Sequence, residues 1–329
     1  MSVSYDKPGH AAVHLARAAS LAPSPHNSQP WFFVEEGYDH GFEVHADATR
    51  RMFLSDPDGR EMVVACGAAL FNARMAVRHL GFKPAVELLP DPADPAFLAH
   101  VGFAAHAPVS AEEAALAGAM VLRHTHRGPF AAESLPREFL DELSEHARAE
   151  GADFQVIDGP EELELLARLV RTAEDCHRAD PLHAAEVARR VGPDRVPAEA
   201  CRYHPDCTLL AGRDYLYLSR RYVVPARRRA SGTGTVAVLS TARDGRQDWL
   251  RSGQALQRVL LSAAARGVMA AFHTQPLELP ELRAQVRRHL TAGHFPQVVL
   301  RLGRTGQRWA TSRRPATRVL VRDSAPARW

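Results

Sequence analysis

The sequence predicts an α+β fold of two fused lobes, each a sheet flanked by helices, related by a pseudo-twofold axis. An internal repeat supports this prediction, because Asp58-Gly59-Arg60 recurs as Asp244-Gly245-Arg246 at an offset of 186 residues. At the same offset three further matches occur: Gly67 with Gly253, Ala69-Leu70 with Ala255-Leu256, and Gly81 with Gly267. In each copy a long helical pattern ends at a glycine and an apolar strand follows. The chain is therefore predicted to be a fused dimer.

Residues 1–110 are predicted to form the first lobe. Apolar residues recur at helical spacing over 10–21 and 61–80, and short apolar runs predict strands at 31–34, 42–45, 85–88 and 98–103. Gly67 and Gly253 lie inside the predicted long helices, where a glycine costs about 1 kcal/mol relative to alanine. Glycines at matching positions predict that these two helices approach closely.

Residues 111–329 are predicted to form the second lobe. Its helices are expected at 112–122, 135–149, 161–178, 247–265 and 280–290, and its strands at 154–157, 236–239, 268–272 and 298–302. Between them lies a tract at about 179–233 that is rich in Pro, Arg and His and has no long periodic pattern. We interpret this tract as an insertion or a lid.

The composition excludes several classes of protein. The net charge is +3, with 41 basic against 38 acidic residues, so nucleic-acid binding is not indicated. No apolar run approaches the roughly 20 residues that cross a bilayer, and residues 1–10 lack the pattern of a signal peptide. Four cysteines in 329 residues fit a reducing compartment. A cytoplasmic protein without a membrane partner is expected.

The most distinctive stretch is Pro23-Ser24-Pro25-His26-Asn27-Ser28-Gln29-Pro30-Trp31, between a helix and an aromatic strand. Each proline fixes its own φ and favours an extended residue before it, so the loop is predicted to be rigid. Its side chains offer many hydrogen-bonding groups, which suit a flat ligand with polar edges, such as a flavin. The alternative is a proline-rich turn whose polar groups satisfy one another.

Two basic clusters follow the same logic. Arg123-His124-Thr125-His126-Arg127 ends a predicted helix, and Ser312-Arg313-Arg314-Pro315 lies in the Arg-rich tail. Planar guanidinium groups match the acceptor geometry of a phosphate. Taken singly, 123–127 is more typical of a solvated helix end near the C-terminal dipole, and Arg313 and Arg314 are more typical of surface charge.

Taken together, these segments resemble the FMN-dependent nitroreductase family. The loop at 22–31 is similar to the family signature, 123–127 to its R-x-S/T-x-R phosphate motif, and 312–315 to its C-terminal basic element. The segments 275–278 and 296–303 are most similar to the two-lobed, single-chain branch called Acg-type. The resemblance covers nearly the whole chain.

The resemblance implies a set of FMN-binding residues. The loop would meet the ribityl chain and the pyrimidine edge, the arginines would hold the phosphate, and the residues after the strand at 268–272 would contact the flavin near N5. The residues implied are Ser24, Pro25, His26, Asn27, Ser28, Gln29, Arg123, Thr125, Arg127, Thr274, Gln275, Arg313 and Arg314. Simpler members have Glu-Gly where this chain has Thr274-Gln275, which leaves the N5 contact open.

The resemblance further implies an oxidoreductase that takes hydride from NAD(P)H through flavin N5 and reduces a nitroaromatic, a quinone or a similar small molecule. Protein groups then position the cofactor and no catalytic side chain is required. Two alternatives stay open: a dehydrogenase of a natural-product intermediate, and a flavin-storage protein whose lid excludes nicotinamide. One FMN per chain is expected, since residues 1–10 contain no arginine and no proline loop follows Ala149. The monomer would then act as a pseudo-dimer.

Two other patterns are weak. Cys201, His204 and Cys207, with Cys176 before them, have a spacing that matches no common zinc module, so no metal is expected. The run Arg227-Arg228-Arg229 before a glycine-rich segment lacks the preceding strand of a nucleotide-binding motif.

Overall fold

A computed structural model describes residues 10–37, 41–192, 195–220 and 232–322. Both long helices of the repeat and every predicted strand are confirmed, with ends that differ by at most three residues. The helices are α1 (His10–Ser20), α2 (Arg60–His79), α3 (Ala111–Ala119), α4 (Arg137–Ala149), α5 (Pro160–Ala179), α6 (Pro181–Ala188), α7 (Arg246–Ala265), α8 (Pro280–Leu290) and α9 (Ala316–Val319). The strands are β1 (Trp31–Glu36), β2 (Gly41–Ala46), β3 (Phe82–Leu88), β4 (Phe97–His106), β5 (Asp153–Ile157), β6 (Thr235–Thr241), β7 (Val268–Phe272), β8 (Phe295–Arg304) and β9 (Leu320–Arg322).

The strands form two sheets, as the predicted two-lobed α+β class requires. The first has the order β3-β4-β2-β1-β9, and the second has the order β5-β6-β8-β7 with antiparallel neighbours throughout. The strand β9 lies parallel to β1, with Leu320 opposite Phe33. It returns the end of the described chain to the first lobe, and the sequence analysis did not anticipate it. The division at residue 110 stays a prediction, and β9 is an element that crosses it.

The two long helices α2 and α7 pack against each other through the repeated glycines. A Cβ atom placed on Gly67 would lie 2.2 Å from the carbonyl oxygen of Leu250, and one on Gly253 would lie 2.0 Å from that of Val64. Val64 and Leu250 are themselves 186 residues apart, so the contact is reciprocal, as a twofold axis requires. The predicted close approach is confirmed.

Three clusters of buried apolar side chains surround this helix pair. One fills the first lobe between α1, α2 and the first sheet, and a second lies between α4, α7 and the second sheet. The third covers the opposite face of the second sheet with α5 and α8. The second sheet is therefore buried on both faces, which holds the loops at its ends firmly against the helix pair.

The irregular tract contains one short helix, α6, and several single turns. Asp180 caps α6 by accepting a hydrogen bond from the Leu182 amide at 2.9 Å. The residues Arg227, Arg228 and Arg229 lie outside the described residues. Within the described part of the chain, no helix is long and apolar enough to span a membrane.

Candidate functional site

A cavity lies where the two lobes meet, beside α2 and α7. It encloses about 1100 Å³, its open mouth included. Seven of the predicted cofactor-binding residues line it, drawn from three separate segments: Ser24, Pro25, His26, Thr125, Arg127, Thr274 and Gln275. The cavity thus brings together the proline loop, the first basic cluster and the residues after β7.

The proline loop is held in an unusual backbone conformation. His26, Asn27 and Gln29 all have positive φ, at 49°, 56° and 48°. Non-glycine residues pay roughly 1–3 kcal/mol for such conformations, which occur mostly at functional sites. The hydroxyl of Ser24 accepts a hydrogen bond from the Gln29 amide at 2.9 Å, which closes the turn. The loop is therefore a tight turn with three left-handed residues and is not extended as its prolines suggested, and its rigidity stays a prediction.

The loop is also tied to the C-terminal segment. The side-chain nitrogen of Asn27 donates to the Ser312 backbone carbonyl at 3.1 Å, and the side-chain oxygen of Asn27 accepts from the Arg313 guanidinium at 3.1 Å. The side-chain oxygen of Gln29 accepts from the Arg314 amide at 2.8 Å. These contacts join the two ends of the chain at the site.

Six predicted residues lie outside the cavity lining, namely Asn27, Ser28, Gln29, Arg123, Arg313 and Arg314. The Arg314 guanidinium donates to the backbone carbonyl of Trp31 at 3.0 Å, and the Ser28 carbonyl accepts from Arg50 at 2.8 Å. Ser28, Gln29 and Arg314 therefore stabilise the loop conformation through hydrogen bonds outside the cavity lining. Direct cofactor contact by these three residues stays a prediction.

Arg123, Arg127 and Arg313 form a cluster of like charges next to the cavity. Burial, together with the Arg313 and Arg127 charges, lowers the pKa of Arg123 to about 9. Burial and the Arg127 charge lower the pKa of Arg313 to about 10. Among the described residues none of the three forms an ion pair with a carboxylate. The buried Nε atoms of Arg123 and Arg313 also have no hydrogen-bond partner.

Such a cluster is electrostatically incomplete. A buried cation is costly unless an opposite charge and hydrogen-bond acceptors accompany it. The cluster is fixed to the fold, because Thr125 forms a parallel bridge with Ala270 of β7 and the His126 amide donates to the Ala270 carbonyl at 2.8 Å. The arginines are consequently held in place for an anion with several acceptor oxygens.

The segment after β7 lies deep in the cavity wall. The His273 amide donates to the Val299 carbonyl at 2.8 Å, and Arg301 Nε donates to His273 Nε2 at 2.7 Å. Nδ1 of His273 therefore carries the hydrogen and donates to the Ala211 carbonyl at 2.9 Å. Burial and the Arg301 charge hold the pKa of His273 well below its usual value. This neutral histidine anchors the backbone from which Thr274 and Gln275 face the cavity.

A second charged group in the wall escaped the sequence analysis. Glu278 is buried and paired with Arg213, and although burial alone would raise its pKa, the Arg213 guanidinium keeps that pKa at about 2. Glu61 lies in the same wall, and burial together with the Glu278 charge raises its pKa to about 8. The pKa values of the two carboxyls are therefore shifted in opposite directions, although Glu61 also accepts a hydrogen bond from the Arg60 guanidinium at 3.0 Å, which opposes the rise of its pKa. Arg213 comes from the irregular tract, where no periodic pattern marked it.

The same region holds a candidate metal cluster. Across residues 10–37, 41–192, 195–220 and 232–322, three metal-type ligands come within reach of one another only at His177, His183 and Glu278. The two imidazole rings are stacked, with centroids 4.0 Å apart and planes 9° from parallel. A metal lies close to the plane of each imidazole that binds it, and two parallel rings offer no such shared position. Arg213 also donates to His177 Nδ1 at 2.9 Å, which places the hydrogen on Nε2, the atom a metal would need.

The remaining wall comes from residues 200–215 of the irregular tract, including Cys201, Tyr203 and Tyr215. The Tyr215 hydroxyl and His26 Nδ1 share a hydrogen bond of 3.0 Å, and the Arg127 guanidinium lies 5.8 Å from the centre of the Tyr215 ring. Tyr215 therefore connects the tract to both the proline loop and the first basic cluster. The interpretation of the whole tract as a lid stays a prediction.

Comparison with known proteins gives relatives across nearly the full length. The chain is 32% identical to a Mycobacterium tuberculosis protein named "Putative NAD(P)H nitroreductase acg", over 94% of this chain and 93% of that protein. A second protein of that organism, also named a putative NAD(P)H nitroreductase, is 30% identical over 87% of this chain and 82% of its own length. No family model matches the sequence.

Solved structures give more distant matches. An FMN and NADPH-dependent nitroreductase from Sphingopyxis sp. strain HMH is 17% identical, with a TM-score of 0.42, over 62% of this chain and 96% of its own. A nitroreductase with bound FMN from Desulfitobacterium hafniense is 14% identical, with a TM-score of 0.41, over 60% of this chain and 93% of its own.

Proposed function

The chain belongs to the FMN-dependent nitroreductase family, in its two-lobed, single-chain Acg-type branch, and from this premise we propose that it is an oxidoreductase that binds one FMN in the cavity between its lobes. The proposed reaction transfers two electrons from NAD(P)H to a quinone, a nitroaromatic or a similar small acceptor. When bound, FMN would supply the hydride chemistry that the side chains of the cavity lack.

The uncompensated guanidinium cluster carries this proposal. A phosphate monoester has nearly two negative charges and three acceptor oxygens, which Arg123, Arg127 and Arg313 match with planar donors. Within the described residues the Nε–H groups of Arg123 and Arg313 have no hydrogen-bond partner. Thr125, between two of these arginines in sequence, faces the cavity and adds a hydroxyl.

The rest of the cavity suits the other parts of the cofactor. Ser24 and His26 present polar groups from the strained loop, and Thr274 and Gln275 present backbone and side-chain polar groups from the opposite wall. Val64, Ala65 and Leu256 supply an apolar surface from α2 and α7 on which a flat ring system would pack. A polar edge on two sides and an apolar floor is the environment that an isoalloxazine ring requires.

The proposed stoichiometry of one FMN per chain is supported by the residues on the other side of the pseudo-twofold axis. The positions equivalent to Val64, Leu256, Thr274 and Gln275 are occupied by Leu250, Leu70, Leu88 and Leu89. All four leucines belong to or pack against the core cluster of the first lobe. The counterparts of Thr274 and Gln275 are leucines, which offer no polar side chain to a flavin, and this supports a single site.

The first test is the absorbance of the purified protein. We expect flavin bands near 375 and 450 nm, release of one equivalent of FMN on denaturation, and steady NAD(P)H consumption when a quinone is added. Colourless protein that cannot take up FMN would refute the proposal, and two equivalents of FMN would refute the single site.

A second candidate function is flavin storage, which the wall at residues 200–215 favours. Tyr215 bonds to His26 across the cavity, so the tract covers part of the surface that a nicotinamide would need. Photoreduction of the flavin bypasses the nicotinamide. Rapid reoxidation of photoreduced protein by a quinone supports the enzyme, whereas inert photoreduced protein supports storage.

A further inference from the structure

A second cavity, distinct from the first, opens on the first lobe between α1, α3 and the C-terminal segment. It encloses about 1700 Å³, its open mouth included, and shares no lining residue with the flavin cavity. From its lining we propose that this cavity binds an amphipathic anion with a single long alkyl chain, such as a fatty acid. The proposal does not depend on the proposed flavin chemistry.

The walls of this cavity are mostly apolar. Small and branched side chains of α1 and α3 face each other across it, and Leu320 of β9 closes one end. The apolar lining includes Val13 and Ala18 of α1, Ala114 and Ala117 of α3, and Met120 and Val121 directly after α3. Val121 is 65% exposed at this surface and adds an accessible apolar side chain to the lining. Ligand sites in proteins are commonly of this kind, apolar with a few polar groups that fix orientation.

Two buried polar atoms in the lining have no hydrogen-bond partner among the residues that the structure describes. Ser20 is 2% exposed and lines the cavity, and its hydroxyl makes no hydrogen bond. Nε2 of His14, which also lines the cavity, is buried and unpaired. Buried polar groups in native proteins are almost always satisfied, so these two atoms indicate a polar ligand group.

The charged groups of the lining identify the sign of that ligand group. Among the described residues the lining contains five basic side chains and no carboxylate, the five being His14, Arg17, His79, Arg313 and Arg314. Arg313 belongs to the cluster proposed to hold the FMN phosphate, Arg314 lies 3.9 Å from the Asp47 carboxylate, and burial lowers the pKa of His14, so Arg17 is the main positive charge available to a ligand. Arg17 is exposed and free to turn toward the mouth. An apolar wall with a basic rim and unpaired donors matches a carboxylate on an alkyl chain, and would repel a cationic amphiphile.

Gly118 of α3 provides a direct test. It lines the cavity, and a Cβ atom at this position would meet no atom within 4 Å, so a leucine side chain would extend into the open space. Replacing a helix glycine also removes its propensity cost, so Gly118→Leu should fold at least as well as the wild type. This variant fills the cavity without disturbing its polar groups.

The experiment is isothermal titration of the full-length protein, saturated with FMN, with dodecanoate below its micelle concentration. We expect one saturable site, an affinity that falls roughly fourfold for each CH₂ removed from the chain, and at least a tenfold loss in Gly118→Leu.

Arg17→Glu should weaken dodecanoate binding and leave 1-dodecanol binding unchanged. Gly306→Leu, at another glycine with open space around it, is the matched control and should bind as the wild type does.

Three results would overturn the proposal: no saturable binding, equal affinity in wild type and Gly118→Leu, or tighter binding of dodecyltrimethylammonium than of dodecanoate. If another segment of this chain fills the cavity, saturable binding will not be observed, and this result also overturns the proposal. FMN content is measured by absorbance in every variant. It shows whether the flavin proposal fails independently of the dodecanoate proposal. A colourless protein that still binds dodecanoate would refute only the flavin proposal.

Discussion

The two sides of the α2–α7 helix pair are formed by equivalent sequence positions but differ in packing, because one side borders a cavity and the other is filled by side chains. On one side Val64, Leu256 and Thr274 line an open cavity, and on the other their counterparts Leu250, Leu70 and Leu88 lie in or against a filled core. The connection from α1 to β1, residues 21–30, is a long strained loop, whereas that from α4 to β5, residues 150–152, is a short turn. Duplication thus preserved the helix crossing and changed what surrounds it.

The charges differ in the same way. Beside the short turn, Glu150 pairs with Arg74 at 2.5 Å and with Arg258 at 3.3 Å, so the basic groups there are neutralised within the protein. Beside the long loop, Arg123, Arg127 and Arg313 have no carboxylate partner among the described residues. The charges beside the short turn are thus neutralised by the protein itself, whereas the positive charges beside the long loop would be neutralised by a bound anion. The difference shows how a symmetric scaffold can hold a single site.

The largest expected effect comes from opening the filled side. Leu70→Ala removes a fully buried side chain from the core and should lower the free energy of unfolding by about 2–5 kcal/mol. Leu256→Ala, at the equivalent position on the cavity side, should cost less, because part of its surface already faces open space. Urea unfolding of both variants without FMN measures the difference. Equal losses would mean that the two sides are packed alike.

The arginine cluster provides the next test, in which two readouts should move in opposite directions. Arg123→Met removes a buried cation that repels two neighbours, so the FMN-free protein should become more stable. FMN affinity should fall about tenfold to a hundredfold, the loss expected for one charge-assisted hydrogen bond. Fluorescence titration with FMN measures the affinity and urea unfolding the stability.

Arg168→Met is the control for this experiment. Arg168 is exposed on α5 and pairs with Glu164 across one helical turn, so both readouts should stay near the wild-type values. If Arg123→Met retained full FMN affinity, the phosphate assignment would be wrong.

The sequence was sufficient for most of the fold and for part of the site. The helices and strands around the repeat carry strong periodicity, and the glycine pair predicted the helix crossing because only close packing explains glycine inside two matching helices. Arg213 and Tyr215 could not be found in this way, since they lie in a tract without periodicity and their roles depend on partners far away in sequence. β9 was missed because three residues in an Arg-rich tail carry no strand signal of their own.

The smallest expected effect concerns the cavity wall and depends on pH. The pKa of Glu61 is about 8 in the folded protein, above its ordinary value of 4.5, so the folded chain holds this proton more tightly than the unfolded chain. That contribution to stability is complete below about pH 4 and is lost as the pH rises through 8. Glu278 behaves in the opposite way, because its low pKa contributes stability that is lost only as the pH falls toward 2. Between pH 5 and 8 the Glu61 contribution therefore dominates this pair.

Glu61→Gln removes the titration and keeps a neutral polar side chain of similar size. The variant should match the wild type near pH 5 and exceed its unfolding free energy by on the order of 1–3 kcal/mol at pH 8. The buried histidines titrate alike in both proteins and cancel in the difference. Urea unfolding at pH 5, 6.5 and 8 measures it. A constant difference across this range would show that Glu61 is ionised in the folded protein, and that the ligand-binding side of the helix pair tolerates two adjacent buried negative charges.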